Sequence, residues 1–284
     1  HMFPTKMQDN EERLSEHTKR HYEVVNAIAI DNHIAGGTGW CAFDYHTHYD
    51  FGSGDRICYH GVYDMFRNPK FASTVYSSQM DTDKKIILEP ITIYARGERA
   101  IGGITPLMIS TNCDYVEVYF KDIMIAKEYP ATNKYQGLKH PPIIINIEQN
   151  IPGVSSMNWE DLKVIGYING KAEIERKYLK NPTFKELQIF SDDKEINSIS
   201  EGAAWDSTRI TIKAVDSWGN RLPYINEAIN IEVKGAGELI GNDNPILEGG
   251  YYSFWVKTNT KKGIIKITVS NKRVESKSIE IKVK

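Results

Sequence analysis

Cysteine is scarce in this chain. Cys41, Cys58 and Cys113 are the only three in 284 residues. An odd number at no ligand spacing excludes a disulfide framework and a cysteine-built zinc site, and reads as free thiols. A surplus of either charge is also missing: Lys plus Arg number 35 and Asp plus Glu 37, a formal net charge of −2. That balance excludes a surface built to neutralise nucleic-acid phosphates or to bind anionic lipid. No apolar run approaches the roughly 20 residues that cross a bilayer, so neither nucleic acid nor membrane is an expected partner. His17 and His21 are spaced i, i+4 but lack the glutamate of HExxH, and His46 and His48 lack a third ligand. Gly235-Ala236-Gly237 and Gly249-Gly250 follow strand-like runs but open no helix, which excludes a phosphate loop. No metal and no cofactor are expected. The start of the chain has no apolar core followed by small residues. Cytoplasmic and periplasmic or secreted locations therefore stay open.

What is present concentrates between Gly36 and Ser78. Aromatics, acids, glycines and histidines crowd there, and seven of the eight histidines fall in the first 60 residues. Residues 9–29 predict a helix, with Asp9 or Asn10 as cap and Leu14, His17, His21 and Ile28 in a helical period. Ile34 to Tyr45 predicts a strand with glycines at its start. A loop over Thr47 to Asp55 follows, then a helix from about Pro69 to Met80. Helix, strand, loop, helix is a piece of an α/β alternation, and one strand cannot satisfy both its edges alone.

Near Asp81 the character changes. Short runs follow at 86–88, 91–95, 106–110, 115–120, 123–127, 143–147 and 162–168, punctuated by Gly, Pro and Asn at the spacing of a β-sandwich. Val116, Val118 and Phe120 alternate with Glu117 and Tyr119, and Asn169-Gly170 signals a hairpin. A second break at Asn181-Pro182 opens another series of runs, at 184–190, 208–214, 228–233, 251–257, 263–270 and 278–284. The expected architecture is mainly β: an α/β piece over 1–80, then immunoglobulin-like sandwiches over 81–181 and 182–284. "Immunoglobulin-like" means architecture only, since the Cys…Trp…Cys spacing is absent.

Four blocks carry a family resemblance. They are His1-Met2-Phe3-Pro4-Thr5-Lys6; Gly39-Trp40-Cys41-Ala42-Phe43-Asp44-Tyr45; Gly52 through Val62, reading GSGDRICYHGV; and Asp64-Met65-Phe66-Arg67 with Pro69-Lys70-Phe71-Ala72. In this order they resemble the end of the catalytic barrel of family 2 glycoside hydrolases of the β-galactosidase type. Asn112-Cys113-Asp114 and Gly219 through Pro223 resemble the family's C-terminal sandwiches more loosely. The resemblance implies that residues 1–80 are the remnant of a (β/α)8 barrel, including its eighth strand. It implies that His1-Met2 follows closely on the nucleophilic glutamate, with the acid/base glutamate further upstream. Retaining glycosidases need two carboxylates about 5 Å apart. The expectation is therefore a C-terminal fragment with no catalytic residue of its own, inactive alone, from a parent that cleaves terminal β-D-galactosyl bonds.

Barrel sites lie at the C-terminal ends of strands. By the resemblance, Trp40 or Phe43 offers a stacking face for a sugar ring, against a reading of either as a barrel-core aromatic. Asp44 either reads sugar hydroxyls or caps the loop as a structural acid. His60 stands where family members carry a polar residue near the sugar. Asp55 and Arg56 are expected to pair and pin the loop. In the sandwiches Trp159, Trp205, Trp218 and Trp255 could line a carbohydrate-binding face; core packing is the expected role of Trp205 and Trp255, and Trp218, in a turn, is the best candidate for an exposed aromatic. The apolar side chains of residues 1–80 are expected to dock on the first sandwich or to form a homodimer. The competing reading is a non-catalytic carbohydrate-binding or interaction module, since the sandwiches make up most of the chain.

Overall fold

Alternating β-branched and polar residues dominate after residue 85, and strands dominate there in the computed structural model, which describes residues 3–95, 106–146, 159–198 and 205–284. The chain divides into two units, His1–Asn181 and Pro182–Lys284. His1-Met2 lies outside the described residues.

The first unit opens with α1 (Glu11–Ile30), capped by the Asn10 side chain, which accepts from Arg13 N at 2.9 Å. Its buried stripe of Leu14, His17, His21 and Tyr22 follows the helical period. The expected strand over 34–45 is a correction: only Tyr45–His46 (β1) is extended in a ladder, paired with Ile57–Cys58 (β2). Residues 31–43 are mostly exposed, and strand geometry needs backbone partners that this stretch meets only at its end. There Val62 N donates to Cys41 O, Tyr63 N to Ala42 O and Asp44 N to Tyr63 O, at 2.9–3.1 Å. The expected helix over 69–80 shortens to α2 (Ser73–Ser77), because the preceding turn carries the Lys70 side chain inward.

Seven strands follow: β3 (Leu88–Pro90), β4 (Leu107–Thr111), β5 (Tyr115–Phe120), β6 (Ile123–Glu128), β7 (Ile143–Ile145), β8 (Leu162–Ile168) and β9 (Lys171–Tyr178). They form sheets β3-β4-β7 and β6-β5-β8-β9, with Val116, Val118, Ile109, Ile143, Leu162 and Val164 fully buried in one core. Residues 91–95 are not the expected strand. Tyr94 takes φ +56°, and the Glu11 carboxylate captures the Thr92 hydroxyl and Ile93 N there. The β8–β9 turn has φ +52° at Asn169 and +76° at Gly170, the left-handed pair that an Asn-Gly hairpin demands. Helix α1 packs onto the loop between β6 and β7: Tyr22 and Val75 meet Tyr135 and Leu138, and Asn26 Oδ1 accepts from Gly137 N at 2.9 Å.

The second unit holds β10 (Glu186–Ser191), β11 (Glu195–Ile196), β12 (Ser207–Val215), β13 (Asn230–Gly235), β14 (Gly237–Ile240), β15 (Tyr251–Thr258), β16 (Gly263–Ser270) and β17 (Lys277–Val283). Sheets β10-β12-β15-β14 and β11-β17-β16-β13 enclose Ile210, Ile212, Phe254, Val256, Ile265, Ile267 and Ile281. Trp205 is not in this core: it is 51% exposed. Trp255 points away from the core as well, because Phe254 and Val256 hold the inward positions of β15. Trp218 is exposed in its turn.

Candidate functional site

The dense stretch folds around one buried cation. Lys70 Nζ, wholly inaccessible, lies 2.7 Å from Asp44 Oδ1, whose side chain is 3% exposed, and also donates to the Thr5 carbonyl at 2.5 Å. Asp44 Oδ1 accepts in addition from Gly61 N at 2.9 Å. Three segments distant in sequence are thus joined at one carboxylate. Gly61 is required there, since a Cβ would lie 2.3–2.4 Å from the Phe43 and Asp44 backbone. Burial pushes the Asp44 carboxyl up to about 6, against the pull of Lys70, and burial lowers Lys70 against the pull of Asp44.

His60 follows directly on this knot. It is nearly buried, its Nδ1 is 3.1 Å from the Cys58 thiol, and burial and the Lys70 charge lower its basicity. Phe51 meets its ring edge at 6.0 Å between centroids. Trp40 and Phe43 lie on the same segment as Asp44 and are 54% and 43% exposed. Trp40 donates to Tyr45 Oη at 3.1 Å, while Phe43 meets Tyr63 and the Arg67 guanidinium. Asp44 and His60 are therefore brought together through Gly61. Trp40 and Phe43 flank them as open aromatic faces, each with its own tyrosine. The expected Asp55–Arg56 pair is absent among the described contacts. Asp55 accepts from Lys6 and Tyr59 instead, and the Arg56 backbone is left-handed at φ +60°.

Behind this knot, His17 and His21 share one proton across a 3.2 Å contact between their Nε2 atoms. His21 Nδ1 meets Tyr76 Oη at 2.9 Å, and His17 Nδ1 is buried without a partner. The arrangement that avoids a stranded N–H has His17 Nε2–H donating to His21, and His21 Nδ1–H donating to Tyr76. Burial first, then neighbouring charge including Lys70, lowers His17 to about 3 and His21 to about 4. Both rings are neutral at pH 7. No group of three or more potential metal ligands is found among the described residues.

Lys70 is the residue that sequence reasoning missed as a hub. A signal existed: a lysine in the first turn of an expected helix opposes the macrodipole. The His17 and His21 positions were legible as part of the buried stripe of α1.

Comparisons with known proteins bear on this site. The model of glycoside hydrolase family 2 C-terminal domain 5 matches residues 191–280. A β-galactosidase of Thermoanaerobacterium thermosulfurigenes is 50% identical over 254 residues, covering 88% of this chain and 35% of that protein. A β-galactosidase of Rhizobium meliloti is 36% identical over 254 residues, covering 88% of this chain and 33% of that protein. The crystal structure of a β-glycosidase from Bacteroides vulgatus superposes with a TM-score of 0.64 at 19% identity, over 85% of this chain and 30% of that one. These matches share one class of protein, the glycoside hydrolases. More narrowly, the chain belongs to glycoside hydrolase family 2. It spans about a third of the length of the curated relatives it matches.

Proposed function

We propose that this chain is the C-terminal part of a retaining β-galactosidase and supplies one wall of its sugar pocket. In this reading residues 1–80 complete a (β/α)8 barrel as its eighth strand and flanking helices, followed by sandwiches over 81–181 and 182–284. Trp40 and Phe43 offer stacking faces, His60 offers a polar contact to a sugar hydroxyl, Asp44 acts as the buried structural acid that fixes their segment through Lys70 and Gly61, and both catalytic glutamates belong to the preceding polypeptide. The chain alone is then inactive.

One observation carries the reading. The buried Lys70–Asp44–Gly61 knot holds the Trp40 segment in place while leaving the Trp40 and Phe43 rings open. Ligand-facing aromatics need a rigid mount and a free face, and these two rings have both. The identity to the Thermoanaerobacterium and Rhizobium β-galactosidases supports galactose as the sugar. The test joins the chain to the upstream part of the Thermoanaerobacterium enzyme and compares aryl β-galactosides with β-glucuronides and β-mannosides. Preference for the galactoside is the expected result. Preference for either of the others would refute the substrate assignment.

A further inference from the structure

The sheet register sets Trp255 on the outer face of one sheet of the second unit, and two side-chain contacts bring Trp205 and the loop bearing Trp218 to the same face. On β12, Ile210, Ile212 and Ala214 face the core, so Ser207, Arg209, Thr211 and Lys213 face outward. The β12–β15 register pairs those four with Lys257, Trp255, Ser253 and Tyr251. The β10–β12 register sets Phe190 beside Thr211 and Gln188 beside Lys213. Trp205 joins at one end, where Lys257 Nζ lies 5.9 Å from its ring centroid. At the other end Lys213 Nζ donates to Gly219 O at 3.0 Å, which folds the loop bearing Trp218 against the same face. That loop is fixed by Asp216, whose carboxylate accepts from Trp218 N and Asn220 N, both at 2.9 Å.

The face has three openly exposed rings: Trp205 and Phe190 at 51% and Trp218 at 44%. Trp255 and Tyr251 lie between them, about 13 Å apart along β15 at the rise of a strand. Between the rings the half-buried Thr211 Oγ1 meets the buried Ser253 Oγ at 3.1 Å. Two of the three cations on the face are matched by carboxylates, and Lys213 is held by the Gly219 carbonyl. Arg209 holds both Asp192 oxygens at 3.0–3.1 Å, and Lys257 pairs with Glu238 at 3.3 Å. A protein partner would favour a contiguous dry centre, and a polyanion would favour unmatched cations. Open rings beside cations that are mostly matched suit an uncharged polyol chain, which has apolar C–H faces and a hydroxyl rim.

We infer that the outer face of the β10-β12-β15-β14 sheet is a non-catalytic binding site for an uncharged glycan. The site lies within the second unit, and its activity is retention on a polysaccharide, not hydrolysis. The test is affinity electrophoresis of the whole chain in native gels containing soluble uncharged β-galactan, with parallel gels containing alginate or no polysaccharide. Retardation in β-galactan but not in alginate is expected. A Trp205→Ala, Trp218→Ala double variant should weaken it at least tenfold with an unchanged melting temperature. If that variant melts early, Phe190→Ser, at an exposed edge-strand position, should give the same loss. No retardation in β-galactan, retardation in alginate alone, or full retardation by a well-folded variant would each overturn the inference.

Discussion

Replacing Lys70 by methionine isolates the electrostatics of the knot. The side chain keeps its length and loses its charge. Asp44 keeps its bond from Gly61 N but loses the 2.7 Å contact to Nζ, and the Thr5 carbonyl loses a donor. Even with Lys70 present, Asp44 is lifted from 3.8 to about 6. That corresponds to about 3 kcal/mol of unfavourable ionised burial. Removing the cation from a buried pair costs about 3–5 kcal/mol, because the remaining charge is stranded. The carboxyl then titrates higher still. A group whose folded pKa is raised binds more protons folded than unfolded between the two pKa values. Stability is therefore recovered as pH falls through that window. The expected result is a loss of about 3–5 kcal/mol at pH 8, shrinking toward pH 5. A Lys70→Met, Asp44→Asn double variant should be more stable than the single one by about 1–2 kcal/mol. Urea unfolding followed by circular dichroism measures this, with the Pro182–Lys284 transition as an internal control. A single variant within about 0.5 kcal/mol of the parent, which is an ordinary surface effect, would refute the account of Lys70 as a hub.

The protein should lose stability below pH 6.5, because His17 and His21 are lowered to about 3 and 4. The unfolded chain then takes up protons that the folded one refuses, at about 2 kcal/mol per ring by pH 5. Asp44 offsets part of this by protonating in the folded state below about 6. Melting temperatures across pH 8 to 5 should fall, and a flat profile would contradict the neutral-pair assignment. Gly170→Ala should destabilise the first unit by about 1 kcal/mol from backbone strain alone, since φ is +76° and nothing lies within 4 Å of the added carbon. A stability equal to or above the parent's would show that the turn relaxes. Both are readable by calorimetry.

The strand content was legible because period-2 alternation and Asn-Gly punctuation are local signals. β5, β8, β12 and β16 lie within a residue of the runs that announced them. Most of the stretch 34–45 was misread as a strand for the converse reason. Apolar content and glycine suggest a strand, but extended structure needs partners that a single sequence does not display. Trp205 and Trp255 were misplaced because hydrophobicity ranks a tryptophan as core, whereas its face is set by register against Phe254 and Val256. The acidic and histidine-rich character of residues 36–60 marked the site. Its centre, Lys70, stayed hidden because burial of a lysine depends on a partner 26 positions away.

The most direct test of the central claim is hydrolysis of an aryl β-galactoside by this chain alone and by the chain joined to the upstream two-thirds of the Thermoanaerobacterium enzyme. The account predicts no turnover above buffer for the chain alone and turnover for the joined protein. Trp40→Ala in the joined protein should reduce kcat/KM ten- to hundredfold, about 1.4–2.7 kcal/mol. Hydrolysis by the chain alone, or an undiminished kcat/KM in the Trp40→Ala protein, would contradict it.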